Sequence, residues 1–108
     1  MISKEPYKIY VVEDDAMLAD EICRLLTKWG YEVWVAQSFD NILEEFLAIK
    51  PQVVLMDINI PCCDGFYWCK RIRDVSAVPI IYISSRDSSM DVIMAMNNGG
   101  DDYLTKPF

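Results

Sequence analysis

Several acidic, hydroxyl and lysine side chains stand directly after short apolar runs, where a parallel sheet would place them at one edge. They are Glu13, Asp14, Asp15, Asp57, Ser84, Ser85 and Lys106. Two carboxylates about 4 Å apart repel by about 4 kcal/mol at an effective dielectric of 20, so converging acids need a cation. Oxygen ligands without His or Cys suit Mg²⁺ or Mn²⁺ and do not suit zinc. The spacing therefore predicts a magnesium or manganese site with Lys106 beside it.

Asp57 is the candidate nucleophile of this group. It ends the most buried apolar run, and an open loop, 58–65, follows it. A carboxylate beside a metal ion can attack a phosphoryl donor, because the metal and a lysine neutralise the charge on the transferring oxygens. Ser84 and Lys106 could then hydrogen-bond the attached phosphoryl group. Singly, Asp14 or Asp15 could equally be only a helix cap.

The positioning elements can be read from the apolar pattern. Short runs rich in β-branched residues predict five strands, at 9–12, 31–36, 53–56, 79–83 and 102–104. Unbroken runs are typical of central strands in a parallel sheet that is covered on both faces. The run 31–36 alternates more and indicates a strand nearer the edge.

Helical spacing fills the segments between these runs. A stripe predicts the first helix over 16–29, and it consists of Leu18, Ile22, Leu25, Leu26 and Trp29. Ser38 is the expected cap of a second helix ended by Pro51, and further helices are expected at 66–75 and 88–98. Alternating strands and helices predict an α/β doubly wound sheet. Such a sheet needs a further helix after the fifth strand, so we expect the chain to be a fragment.

Composition excludes several classes of protein. The chain has 108 residues, 53% of them hydrophobic and 25% charged, as expected for one globular domain. A net charge of -7 argues against direct nucleic-acid binding by this segment, and the absence of histidine excludes imidazole catalysis and ligation. The cysteines have no zinc-site spacing and are expected as free thiols: Cys23, Cys62, Cys63 and Cys69. No apolar run of membrane length or secretory signal is present, which favours a cytosolic protein.

The fourth predicted helix carries more apolar residues than one packed face requires. Its two stripes are Met90, Ile93 and Met94, and Val92, Ala95 and Met96. One stripe is expected in the core. The other is a candidate partner surface, and we assign Met90, Ile93, Met94 and Met96 to it, because flexible methionines suit a surface that repacks.

These motifs together resemble a known family. They are VVEDD at 11–15, MDINIPCCDG with Asp57, Pro61 and Gly65, PIIYIS ending in Ser84, and GGDDYLTKPF at 99–108. The sequence resembles the receiver domain of bacterial two-component response regulators over nearly its whole length. The acidic pair and the KPF ending are similar to the winged-helix, OmpR-type class. DGFYWCKRIR and SSRDSSMD are similar to regulators of bacitracin-type, antimicrobial-peptide resistance.

The resemblance implies roles for individual residues. Asp57 would accept a phosphoryl group from the histidine of a sensor kinase, and Glu13, Asp14, Asp57 and the main-chain carbonyl of Asn59 would hold Mg²⁺. Ser84 would be the switch hydroxyl and Tyr103 the switch aromatic. The bond between Lys106 and Pro107 is usually cis in the family.

The resemblance also implies a fold and partners. The fold is the flavodoxin-like sheet with strand order 2-1-3-4-5. The longer protein would dimerise through its fourth helix and fifth strand and would bind DNA only through a domain after Phe108. Because this chain lacks the fifth helix, the resemblance does not imply that the chain itself dimerises. Its enzymatic activity would be limited to self-phosphorylation and slow self-dephosphorylation.

Three other functions compete with a phosphorylated switch. A haloacid-dehalogenase-type phosphatase shares the Asp nucleophile, Ser, Lys and Mg²⁺, but it needs a DxD motif on the first strand, whereas Asp57 is followed by Ile58 and Asn59 on the third. A flavodoxin-like FMN carrier needs a Ser/Thr/Gly-rich phosphate loop, and the acids at 13–15 would repel phosphate. An interaction module independent of phosphorylation would be expected to lack an acid or the lysine.

Overall fold

The computed structural model of the chain describes residues 7–106. In this part of the chain, strands and helices alternate without exception. They are β1 (Lys8–Val12), α1 (Ala16–Lys28), β2 (Glu32–Val35), α2 (Ile42–Ile49), β3 (Val53–Asp57), α3 (Gly65–Arg73), β4 (Ile80–Ser84), α4 (Ser89–Asn97) and β5 (Asp102–Thr105). None of these helices is long and apolar enough to cross a membrane.

The five strands form one parallel sheet in the order β2-β1-β3-β4-β5, which confirms the predicted topology. Asp57 pairs in register with Ile83, and Ser84 pairs with Thr105. Because every strand points the same way, the residues that follow the strands meet at one edge of the sheet.

The core has two layers, one on each face of the sheet. Along β1, Tyr10 and Val12 point to one face, and Ile9 and Val11 point to the other. The first face packs against α2, α3 and α4, while the second packs against Ile22 of α1. The unbroken apolar runs of the sequence follow from this coverage on both faces.

Helix α1 only partly follows the predicted stripe. Asp15 caps its first turn by accepting hydrogen bonds from the amides of Met17 and Leu18. Ile22 is buried as expected, but the side chains of Leu25 and Trp29 are 56% and 73% exposed. Trp29 is the residue at which the helix ends, so the helical period no longer directs it at the sheet. The stripe thus correctly predicts the helix, but Leu25 and Trp29 lie outside the core.

The expected cap of the second helix was also wrong. Helix α2 begins at Ile42, with Asn41 before it, because the amide of Asn41 bonds to the carbonyl of Ser38 and closes a turn there. The Ser38 hydroxyl donates to Asp40 instead of capping a helix. The helix ends where Lys50, before Pro51, adopts a left-handed conformation with φ of 55°.

The remaining helices begin with side-chain caps close to their expected starts. Asp64 accepts from the amide of Tyr67 at the start of α3, and Ser88 accepts from the amide of Asp91 at the start of α4. The cis bond expected before Pro107 lies outside the described residues.

Candidate functional site

Three carboxylates meet at the carboxyl edge of the sheet. Glu13 and Asp14 follow β1, and Asp57 ends β3. One oxygen from each lies within 4.8 Å of the other two. Glu13 and Asp57 are buried, whereas Asp14 is exposed. The structure therefore brings together three of the four acids that the sequence singled out, and these three are the metal ligands that the resemblance implies.

Lys106 supplies the positive charge of this cluster. Its Nζ lies 2.6 Å from Oε1 of Glu13 and 3.1 Å from Oδ2 of Asp57. Its main-chain amide donates to the carbonyl of Ser84 at 2.8 Å, so the end of β4 fixes the backbone from which the side chain reaches across. The lysine thus bridges acids from two neighbouring strands.

For both Glu13 and Lys106, burial shifts the pKa in one direction and the ion-pair partner shifts it in the other. Burial raises the pKa of Glu13 above its ordinary value and the Asp57 charge adds to this, although hydrogen bonds from Lys106 and the Asp15 amide oppose it. Partial burial by itself lowers the pKa of Lys106, but hydrogen bonds and charges from Glu13 and Asp57 outweigh it, and that pKa is raised. Lys106 therefore stays protonated, and it faces the carboxyl group of Glu13, which burial makes harder to ionise.

The donor set fits a small hard cation. Oε1 of Glu13 is buried, and apart from the Lys106 ammonium at 2.6 Å it has no hydrogen-bond partner among the described residues. Such an oxygen has a free lone pair for a metal ion. The three converging acids offer only oxygen, as Mg²⁺ requires. Asn59 is adjacent, since its amide donates to Oδ1 of Asp57 at 3.4 Å.

Gly65 allows the chain to close tightly beneath Asp57. Its amide donates to the carbonyl of Ile58 at 2.9 Å, which closes the loop after β3 and starts α3. A Cβ at this position would lie 2.2 Å from the Asp57 carbonyl oxygen. Only glycine lets the two backbones approach so closely.

A hydrogen-bonded chain runs from Ser84 to Tyr103. Ser84 is fully buried, and its hydroxyl accepts from the amide of Arg86 at 3.1 Å. The Tyr103 hydroxyl donates to the carbonyl of Arg86 at 2.6 Å. The candidate switch hydroxyl and the candidate switch aromatic are thus joined through one residue of the β4–α4 turn.

The candidate partner surface on α4 is open to solvent. Met90, Ile93, Met94 and Met96 all have exposed side chains, and Leu104 of β5 is exposed as well. Ala95 is buried, so one side of the helix packs against the sheet. Val92 is half-buried, so the packed side of α4 carries the two apolar residues that were not assigned to the partner surface.

The structure separates two roles that the sequence left open and adds a residue that it missed. Asp15 is the cap of α1, whereas Asp14 belongs to the acidic cluster. Arg86 was not predicted, although its guanidinium donates to the side-chain oxygen of Asn59 at 2.7 Å. Its only sequence signal is an arginine two positions after Ser84.

The chain is similar to known proteins over nearly all of its length. The family model of the response regulator receiver domain matches residues 9–108. The chain is similar to the uncharacterized transcriptional regulatory protein YvcP of Bacillus subtilis, with 51% identity over 94% of the chain and 43% of YvcP. It is similar to the sensory transduction protein BceR of Halalkalibacterium halodurans, with 46% identity over 94% of the chain and 44% of BceR. The chain thus spans less than half the length of these relatives.

A solved structure agrees with these sequence relatives. The N-terminal domain of the nisin resistance regulator NsrR, described as a lantibiotic response regulator, superposes with a TM-score of 0.87 at 41% identity. The alignment covers 96% of this chain and 88% of that one. The parallel sheet, the acidic edge and these matches lead to one assignment. This chain belongs to the response regulator receiver domain family.

Proposed function

We propose that the chain is a phosphorylation-activated signalling switch in which Asp57 accepts a phosphoryl group from a sensor histidine kinase. The observation that carries this proposal is the bridge from Lys106 to Glu13 and Asp57. The bridge gathers a nucleophile, an acidic ligand and a cation at one point of the sheet edge. A phosphoryl group needs these three components during transfer.

The chemistry of transfer follows from the positions of the chain's own groups. A carboxylate oxygen of Asp57 attacks phosphorus while the bond from phosphorus to the donor's leaving atom breaks, which leaves an acyl phosphate on the protein. The Lys106 ammonium stabilises the negative charge on the phosphoryl oxygens. The hydroxyl of Ser84 is one strand away and is the candidate donor to a phosphoryl oxygen.

Glu13, Asp14, Asp57 and the main-chain carbonyl of Asn59 are the proposed ligands of Mg²⁺, with Mn²⁺ as a substitute. When bound, the metal supplies positive charge to the phosphoryl oxygens. The buried Oε1 of Glu13 and the oxygen-only donor set support this assignment. Asp14 is exposed, so it can bind the metal while leaving the site open to a phosphoryl donor.

The output would pass through α4 and β5. Met90, Ile93, Met94 and Met96 form the proposed partner surface, through which the longer protein would dimerise. Similarity to a transcriptional regulatory protein and to a nisin resistance regulator supports control of transcription in response to antimicrobial peptides, by a DNA-binding domain attached after the receiver. Such a regulator would act in the cytoplasm.

Family membership favours this switch over the phosphatase and FMN-carrier alternatives. The presence of every acid and of Lys106 likewise disfavours an interaction module independent of phosphorylation. The catalytic activity of the proposed switch would be limited to its own phosphorylation and dephosphorylation.

Acetyl phosphate with Mg²⁺ provides the test. We expect intact-protein mass spectrometry to detect one added phosphoryl group, which hydroxylamine removes because it cleaves acyl phosphates. Asp57→Asn should abolish the adduct. Asp20→Asn, which removes an exposed acid from α1, is the matched control and should leave the adduct intact.

Two results would reject the proposal. One is an unmodified wild-type protein under conditions where circular dichroism shows it folded. The other is an adduct that persists in Asp57→Asn, because the phosphoryl group would then be on another residue.

A further inference from the structure

Arg86 makes contacts that the site chemistry does not explain. Its main chain joins Ser84 and Tyr103, as described above. Its guanidinium holds Asn59 on the loop after β3, and Nη1 lies 3.7 Å from Oδ1 of Asp91 on α4. One side chain therefore connects the rim of the phosphorylation site with the first turn of α4.

Asp91 connects Arg86 to the start of α4. It lies in the first turn of the helix, and its amide donates to the hydroxyl of the capping residue Ser88 at 3.1 Å. The same hydroxyl donates to Oδ2 of Asp91 at 2.7 Å. Asp91 is thus hydrogen-bonded to Ser88, the residue that caps the helix. Loss of the ion pair between Arg86 and Asp91 would therefore alter the contacts at the start of α4.

The contact between Arg86 and Asp91 is weak enough to be exchanged. The two side chains are 39% and 23% exposed, and their charged atoms are 3.7 Å apart. Ion pairs of this kind contribute little in water. A phosphoryl group carries nearly twice the charge of a carboxylate and offers oxygens that match the guanidinium fork.

The guanidinium is also close to where such a group would form. Arg86 bonds to the side chain of Asn59, and the amide of Asn59 bonds to Oδ1 of Asp57. Only one residue thus separates the arginine from the proposed acceptor. Asp57 is buried and its Oδ1 accepts from the amide of Asn59, so a group attached to Asp57 would lie beside the loop that carries Asn59.

We propose that Arg86 is an exchangeable positioning residue, which pairs with Asp91 in the unphosphorylated protein and transfers to the phosphoryl group on Asp57. This inference rests on the proposed function, because it needs a phosphoryl group at Asp57. The transfer frees Asp91 and the start of α4, and it links the acceptor to the partner surface. The link runs beside the hydrogen bonds of Ser84 and Tyr103 and is a separate route.

The exchange predicts that loss of Asp91 and loss of Arg86 change the affinity for a phosphoryl analogue in opposite directions. Asp91 competes with the phosphoryl group for Arg86, so loss of the Asp91 charge should strengthen binding of a phosphoryl analogue. An exposed pair of this kind corresponds to about a 1.5- to 5-fold gain in affinity. Loss of the guanidinium should weaken binding about tenfold or more, as expected for a charge-assisted hydrogen bond.

The experiment measures the affinity of beryllium fluoride, an analogue of the phosphoryl group, by ¹⁹F NMR at saturating Mg²⁺. The proteins are the wild type, Arg86→Gln, Asp91→Asn and the double variant. We expect Asp91→Asn to tighten binding in the wild-type background and to have no effect in the Arg86→Gln background. Arg86→Lys, which keeps the charge but not the fork, should give an intermediate affinity.

Asp87→Asn is the matched control. It removes the same charge from the turn that precedes α4, and Asp87 is exposed and forms no ion pair with Arg86 in the described part of the chain. Its affinity should stay within about 1.5-fold of the wild type, allowing for screening of exposed charges. Thermal unfolding of each variant verifies that it is folded.

The outcomes separate the two proposals. If the wild type does not bind beryllium fluoride, or Asp57→Asn binds it equally well, the proposed function fails. If the wild type binds it but Asp91→Asn weakens binding, or changes it equally in both Arg86 backgrounds, the exchange is refuted and Asp91 is only a helix-capping residue.

Discussion

Replacing Lys106 with methionine tests the electrostatic basis of the site. Lys106→Met keeps the length of the side chain and removes its charge. Glu13 and Asp57 would then face each other without the ammonium that now lies 2.6 and 3.1 Å from their oxygens. Neither acid can turn to solvent, because both are buried.

The expected loss of stability can be worked from these contacts. Carboxylate oxygens within 4.8 Å repel by about 3.5 kcal/mol or more at an effective dielectric of 20. Removing one partner of a buried ion pair costs about 3–5 kcal/mol. The Lys106 side chain is 20% exposed, so screening reduces this figure, and we expect a loss of about 2–3 kcal/mol. The melting temperature should fall by about 10–20 °C.

Mg²⁺ should reverse part of this loss. At ten times its dissociation constant, Mg²⁺ would stabilise the wild type by about 1.4 kcal/mol. Without the competing ammonium the metal should bind more tightly. Tenfold tighter binding would raise the stabilisation at the same concentration to about 2.7 kcal/mol.

Urea and thermal unfolding, with Mg²⁺ and with EDTA, measure both effects. Lys70→Met is the matched control, since Lys70 is exposed on α3 and its loss should change stability by less than about 0.5 kcal/mol. If Lys106→Met is as stable as this control and gains no more from Mg²⁺ than the wild type, the bridge does not hold the acids together.

Three further predictions concern other contacts of the site and core. Gly65→Ala should destabilise the fold by about 3 kcal/mol in urea unfolding, because its Cβ would lie 2.2 Å from the Asp57 carbonyl; an unchanged midpoint would show that α3 can shift. Because burial raises the pKa of Glu13, the metal-free wild type should lose stability relative to Glu13→Gln as pH rises from about 4.5; a wild type that gains stability relative to Glu13→Gln over this range would contradict the sign. Tyr10→Phe should cost about 1–3 kcal/mol by removing the 2.6 Å hydrogen bond to Glu45, and a neutral result would mean that water replaces it.

The sheet and the placement of the acids were predictable because both depend on simple periodicity. Unbroken apolar runs require cover on both faces, and polar residues directly after them must lie at one edge of a parallel sheet. Asp57 and Lys106 are 49 residues apart in sequence, yet this rule alone brings them together. Glu13 is predictable in the same way.

Other features depend on competition between side chains, which periodicity does not contain. Ser38 and Asn41 are both good capping residues, and the turn between them decides where α2 starts. Trp29 fits a helical stripe, but α1 ends at this residue, so the helical period does not point its side chain at the sheet. Arg86 has no pattern at all, because its role comes from Asn59 and Asp91 on separate elements.

The long span of the Lys106 bridge has a consequence for biosynthesis. A chain emerging from the ribosome presents Glu13 and Asp57 well before β5 is made, and until then these acids have no lysine between them. Non-local contacts of this kind form late in folding. Under the proposed function, a partly synthesised receiver would lack the ammonium that stabilises the phosphoryl group, so phosphorylation would favour molecules whose sheet is complete.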